Sequence, residues 1–268
     1  MITVNKPLAN TFGWLHGNGT QIEAPASVEE ITLTAAAGEE RIVALPDSPS
    51  ARITVSVAEN AVLRLIQVRR GGDGGVCDIH VDCAENAHFE WYRVVLGGAA
   101  SYDNCSVTLR GDGSSFLTEL GFRLGGDERY DVNCEAIHLG KKTRSDIHAA
   151  GVLRDRAFKI LRGTIDLRRG CAGSVGSEME DVLLMDETVR NQSIPVILCG
   201  EEDVEGNHGA TIGRLDEELV YYLASRGVSR EQVYEIMAQA KLNAVISRIP
   251  DEETRLLLTE NGAEGEPI

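Results

Sequence analysis

Ala58-Glu59-Asn60-Ala61-Val62-Leu63-Arg64 recurs as Ala84-Glu85-Asn86-Ala87-His88-Phe89-Glu90, an offset of 26 residues. A looser copy begins at Gly111-Asp112-Gly113-Ser114-Ser115-Phe116. Each copy is a polar turn that runs into an alternating apolar strand. A turn-plus-strand unit recurring at this period predicts stacked coils, as in a β-helix or β-solenoid, because each unit buries its apolar side only against its neighbours. A β-sandwich with similar hairpins is the rival arrangement. Strict hexapeptide repeats are absent, which argues against the acyltransferase type of β-helix.

Around this echo the chain reads as strand. Ile53, Val55 and Val57 alternate with small polar residues. Ile79 and Val81 do the same, as do Phe89 and Trp91, then Val107 and Leu109. Val62, Leu65 and Ile66 form a further apolar run. Period-two patterning broken by Gly, Asp and Asn is the strand signature. Gly71-Gly72-Asp73-Gly74-Gly75 is turn material rather than a phosphate loop, since no helix follows it.

The pattern changes near Leu215. Leu219, Tyr222 and Leu223 share a helical face, and Gly227 is a natural stop. Ser229-Arg230-Glu231-Gln232 has the form of a capping box. Val233, Ile236, Met237, Ala240 and Ala244 then form an apolar stripe at helical spacing. Asp251-Glu252-Glu253 opens a third helix after Pro250, with acids at its positive end. The expected organisation is therefore an N-terminal segment (1–30), a β-helix core (31–212), a small C-terminal helical domain (213–260) and a flexible tail (261–268).

Composition narrows the function. A formal net charge of −16 makes bare nucleic acid an unexpected partner, because phosphate binding needs a basic face. Aromatics are only 5% of the chain, too few for an aromatic-lined carbohydrate groove. The six cysteines form no CxxC pair and match no common zinc module. No signal peptide is evident, and no apolar run approaches the roughly 20 residues of a membrane span. The expectation is a cytoplasmic protein with reduced thiols. Cys77, Cys83, Cys105 and Cys134 read as packing residues.

The β-to-α junction is the most specific stretch. It reads Asn207-His208-Gly209-Ala210-Thr211-Ile212-Gly213-Arg214-Leu215-Asp216-Glu217-Glu218 and continues through Tyr221-Tyr222-Leu223-Ala224-Ser225-Arg226-Gly227. This string resembles the SufB/SufD family of iron–sulfur cluster assembly scaffolds, and its His-Gly and Ser-Arg-Gly elements resemble SufD more than SufB. Phe158 to Leu167 resembles the family's strand–Gly–strand coil. Leu183-Leu184-Met185 resembles its "LL" strand, and Ile194-Pro195-Val196-Ile197 its Pro-containing strand.

The resemblance implies a right-handed parallel β-helix followed by helices. It also implies a SufC-type ABC ATPase partner docking on those helices, and a transient iron–sulfur cluster assembled at a protomer interface. The assembly would be a homodimer, or a heterodimer with a SufB/SufD-like protein. No P-loop is present, so this chain is expected to bind no nucleotide and to be a scaffold rather than an enzyme. A β-helix enzyme acting on carbohydrate, and a structural subunit without cluster chemistry, are the alternatives.

Cluster assembly needs thiolate, imidazole or carboxylate donors. His208 lies in the matched motif, where SufD-like proteins have a histidine implicated in assembly. Glu180 falls where SufB has its assembly cysteine. It cannot accept persulfide sulfur but could ligate iron, unless it is merely an exposed strand carboxylate. Cys199 lies nine residues before His208. Neighbouring coils or a dimer interface could unite the two, unless Cys199 is a buried strand-end residue. Cys171, at a coil turn, is the second thiol candidate. Glu201, Glu202, Asp203 and Glu205 form an acidic run that reads as a solvated loop. Tyr221, Tyr222, Val233, Tyr234, Ile236 and Met237 are the candidate partner-facing residues, with packing onto the β-helix as the alternative.

Overall fold

The computed structural model describes residues 1–6, 19–45 and 50–263. The fold is mainly β, a parallel β-solenoid with three helices near the C-terminus. The chain first forms a short antiparallel pair, β1 (Ile2–Val4) and β2 (Thr20–Ile22). Fourteen strands then alternate between two seven-stranded sheets. One sheet holds β3 (Glu29–Ala35), β5 (Ala51–Val57), β7 (Gly75–Cys83), β9 (Ala100–Leu109), β11 (Arg129–His138), β13 (Phe158–Leu167) and β15 (Arg190–Cys199). The other holds β4 (Glu40–Leu45), β6 (Val62–Arg70), β8 (His88–Leu96), β10 (Ser115–Leu124), β12 (Arg144–Leu153), β14 (Ser174–Leu184) and β16 (Val204–Gly213). All neighbours within each of these sheets are parallel, so each odd strand and the even strand after it make one coil.

The sequence echo is the coil itself. Val62 pairs with His88 and Leu63 with Phe89, at the same offset of 26. At the odd-to-even corner of the first six coils an equivalent residue takes positive φ: Gly38, Asn60, Asn86, Gly113, Lys142 and Gly173. Each donates its backbone N–H to the coil above, from Gly38 to the Glu59 carbonyl through to Gly173 and the Asp203 carbonyl, at 2.7–3.0 Å. Asn is the non-glycine residue that tolerates this conformation best. The amide of Asn86 also donates to Asn60 Oδ1 at 3.2 Å.

The lumen between the sheets is filled by every second residue of each strand. Ile53, Val55, Val57, Ile79, Val81, Phe89, Trp91, Val107 and Leu109 are all buried there. Cys77, Cys83, Cys105 and Cys134 are buried too, and burial raises their thiols, Cys77 to about 11 and Cys83 to about 12. They are packing residues, as expected. Two polar sets midway along the lumen are partnered. Arg93 donates to both oxygens of buried Asp103 at 2.8 and 3.2 Å, and Trp91 Nε1 donates to Gln67 at 2.9 Å. Phe158 to Leu167, expected as two strands broken at glycine, is one continuous strand.

The helices are α1 (Glu217–Ser225), α2 (Arg230–Ile246) and α3 (Glu252–Ala263). Asp216 caps α1 and Gly227 follows it at φ +86°. Ser229 and Gln232 close the expected capping box on α2. Asp251 accepts from the Thr254 N–H at the start of α3. Of the expected tail, residues to Ala263 belong to α3, and 264–268 lie outside the described residues.

α2 lies along the outer flank of the even-strand sheet, over β10 and β12, rather than across the solenoid's end. Its buried stripe is Val233, Tyr234, Ala238, Leu242, Val245 and Ile246. The expected stripe is thus rotated: Ile236, Ala240 and Ala244 face outward. The sheet selects the face that carries the larger side chains, because alanines contribute little area. Polar ties hold the helix down. Lys241 pairs with Asp181 at 2.5 Å, Arg123 with Glu235 at 2.6 Å, and Arg248 with Glu119 at 2.6 Å.

The corner geometry gives a direct test. Asn86→Val puts a β-branched side chain in the left-handed region and is expected to cost about 1–2 kcal/mol in urea unfolding, whereas Asn86→Gly is expected to be close to neutral.

Candidate functional site

β15 and β16 are the last strands of their sheets. No coil covers them among the described residues, so the lumen opens at this end. Glu178 pairs in register with His208, and Glu180 with Ala210. Glu178 and Glu180 are i, i+2 on one strand, so both face the lumen with His208 one coil above.

Glu180 is fully buried and pairs with the equally buried Lys159 of β13. The expectation of an exposed strand carboxylate is therefore wrong. The alternation that places Glu178 in the lumen places Glu180 there as well. Burial pushes the Lys159 ammonium down, opposed by Glu180. Glu178 is buried next to this pair, and His208 Nδ1 lies 3.9 Å from its Oε2. Among the described residues, Glu178 Oε1 and Glu180 Oε2 have no hydrogen-bond partner. Burial first, then the Glu180 charge, push the Glu178 carboxyl up to about 7, against the pull of Lys159.

Gly163 faces Glu178 across the lumen. A Cβ there would lie 2.3 Å from Glu178 Oε2, so only glycine leaves room for this carboxylate. His208 keeps 31% of its side-chain surface exposed, while Glu178 keeps 1%. The site is a graded one, with imidazole at the mouth and acids behind it.

The thiol candidates lie elsewhere. Cys199 ends β15 and is exposed, not buried, because it stacks on core residue Leu167 with no coil above it. It does not meet His208 within one chain. Gly206 faces Ile197 across the lumen, which sets Cys199 opposite Val204 and His208 opposite Pro195. Four residues of strand, about 13 Å, separate them. Cys171 is buried at its turn and burial raises its thiol, so it is a packing residue rather than a donor. In the acidic run, Glu201 accepts from the N–H groups of Gly170 and Glu202, tying the loop to the turn below. Among the described residues, no three His, Cys, Asp or Glu side chains converge on a point that could hold a metal ion.

The partner-facing candidates divide. Tyr221, Tyr222 and Ile236 are exposed, Tyr221 at 78%. Val233 and Tyr234 are buried against the flank, and Met237 is half-buried beside them. The latter three are packing residues.

A model of the SUF system FeS cluster assembly SufBD core domain matches residues 28–241. The chain belongs to the SufB/SufD family. Its SufBD core spans the whole solenoid and reaches into α2. The iron–sulfur cluster assembly protein SufD of Bacillus subtilis is 27% identical over 167 residues, 62% of this chain and 38% of that protein. SufD of Escherichia coli is 26% identical over 219 residues, 80% of this chain and 52% of that protein. SufB of B. subtilis is 25% identical over 170 residues, 63% of this chain and 37% of that protein. The matched region thus spans at most about half the length of these SufB and SufD relatives.

Lys159 and Glu178 were missed in the sequence. A signal existed for Glu178: Glu178-Met179-Glu180 on a strand puts two acids on one face. Lys159 had none, since only the coil stacking shows that it faces inward.

The raised Glu178 carboxyl links stability to pH. The folded state holds this proton up to about pH 7, whereas the ordinary value is 4.5. The contribution is full below 4.5 and is lost as pH rises to 7, up to about 3 kcal/mol. Glu178→Gln is expected to flatten this fall, so urea midpoints at pH 5 and pH 8 should converge relative to the unmodified protein.

Proposed function

We propose that this protein is a non-catalytic scaffold subunit of cytoplasmic SUF iron–sulfur cluster assembly. In this reading it assembles its cargo cluster transiently at a protomer interface and binds a SufC-type ABC ATPase. The observation that carries the reading is the position of His208. It faces the lumen on the terminal strand of a SufBD core, at an end where two strand edges are unpaired among the described residues. Unpaired edges are templates for another chain. A second copy, or a SufB/SufD-like partner, pairing there would set two such mouths face to face and complete a donor set that one chain lacks. Cys199 lies at the same end and would supply thiolate across the interface.

Glu180 enters this reading as the carboxylate behind the mouth, its charge held by Lys159 rather than free for iron. That ion pair favours a second reading, a structural subunit without cluster chemistry. No helix is long and apolar enough to cross a membrane. Tyr221, Tyr222 and Ile236 provide the outward apolar surface for the ATPase, whose nucleotide cycle would move the scaffold.

Anaerobic co-expression with the SufC-type ATPase of the same organism tests the reading. A stable complex carrying iron, with iron reduced about tenfold in His208→Ala, is expected. Failure to form any complex overturns the scaffold role. An iron-free complex, unchanged by His208→Ala or Cys199→Ala on reconstitution, supports the structural subunit.

The helix surface makes a separate expectation. Tyr221→Ala with Ile236→Ala should abolish ATPase co-purification while leaving thermal unfolding within about 0.5 kcal/mol of the original. Val233→Ala should instead lower stability by roughly 1–3 kcal/mol.

A further inference from the structure

We infer that Glu178 is a positioning residue that sets the tautomer and orientation of His208. The inference rests on the reading of His208 as a donor to cluster cargo, and it assigns the chemistry behind that donor.

The two residues are register partners on adjacent parallel strands, both on the lumen-facing side. Glu178 Oε2 lies 3.9 Å from His208 Nδ1, within ion-pair reach and one small side-chain rotation from a hydrogen bond. The carboxylate is buried and the imidazole is partly exposed, and Nδ1 is the ring nitrogen on the Glu178 side. Glu178 is also not committed elsewhere. Lys159 donates to Glu180 Oε1, and Glu178 Oε1 has no partner among the described residues. Gly163 keeps the space that the carboxylate occupies.

A metal-binding histidine commonly donates its second ring N–H to a carboxylate, which fixes the tautomer and raises the basicity of the other nitrogen. Once the 3.9 Å gap closes, Nδ1–H donates inward to Glu178. The Nε2 lone pair is left at the open end for a soft metal ion. Such contacts are often long before the ligand arrives and tighten on binding.

The test uses the full chain labelled with ¹⁵N-histidine, as the unmodified protein, as Glu178→Leu and as Glu178→Gln. Leucine removes the acceptor but keeps the lumen filled, and glutamine keeps the shape if leucine does not fold. The ¹⁵N shifts of His208 should show the Nδ1–H tautomer dominating in the unmodified protein. That bias should weaken in Glu178→Gln and be lost in Glu178→Leu. Anaerobic reconstitution with ferrous iron and sulfide should lose iron about 10- to 100-fold in Glu178→Leu. An unchanged tautomer in the folded variants overturns the inference whatever the iron content. A tautomer that depends on Glu178, with iron content indifferent to both Glu178→Leu and His208→Ala, upholds the positioning but sinks the cargo reading of His208.

Discussion

The structure depends on one repeated corner. In six of the seven coils a residue at positive φ turns the chain from the odd-strand sheet into the even-strand sheet and donates its N–H to the coil above. The turn closes a coil, and the hydrogen bond fixes that coil's height and register. Parallel pairing throughout both sheets follows from it, because every coil winds in the same sense. The lumen follows as well, since strands stacked in register send the same alternate positions inward. The left-handed conformation is costly for most residues. The chain meets that cost with glycine or asparagine at five of the six corners, Lys142 being the exception.

The same corner explains how much of the fold was legible. Asn60 and Asn86 occupy equivalent corners, so their flanks repeat at the register offset of 26. From there the coils lengthen. His88 pairs with Ser115, Ser115 with Arg144, and Arg144 with Val175. A period that drifts coil by coil leaves alternation within strands intact but blurs self-similarity along the chain. The helix ends were readable from their caps, which are local chemistry. The buried face of α2 was not. Val233, Ile236, Met237, Ala240 and Ala244 satisfy helical spacing, yet the flank of β10 and β12 selects the stripe carrying Tyr234, Leu242, Val245 and Ile246. Spacing shows that a helix has an apolar side. The partner surface decides which side is used.

The site was half legible for a related reason. His208 and Glu180 emerged from a resemblance along the chain, and the solenoid sets them on adjoining strands of one sheet. Glu178 and Lys159 complete the group: stacking sets Glu178 beneath His208 one coil on, and Lys159 reaches Glu180 across the lumen. The opposite error arises with Cys199. Nine residues from His208 is close in sequence, but those residues include a corner, after which the chain runs back along the other sheet. Closeness in a solenoid is counted in coils and in distance from the corner, and Cys199 stands at the corner while His208 stands mid-strand.

Two ionic groups inside the lumen then differ in a way that separates packing from function. Arg93 and Asp103 match each other with two hydrogen bonds deep among apolar neighbours. Removing either partner would leave a buried charge, so such a pair is self-contained. Near the open end, one lysine faces two carboxylates. Lys159 answers Glu180, and Glu178 has a proton or a neighbouring imidazole as its remaining counterpart. A closed interior would favour replacing such an uncompensated acid with an apolar residue, which costs nothing in desolvation. Its position beneath the exposed His208, one coil from solvent, ties the imbalance to the mouth. An acid with incomplete compensation is of use where a positive group arrives from outside, and in this fold that approach is available at the end where β15 and β16 leave the lumen open.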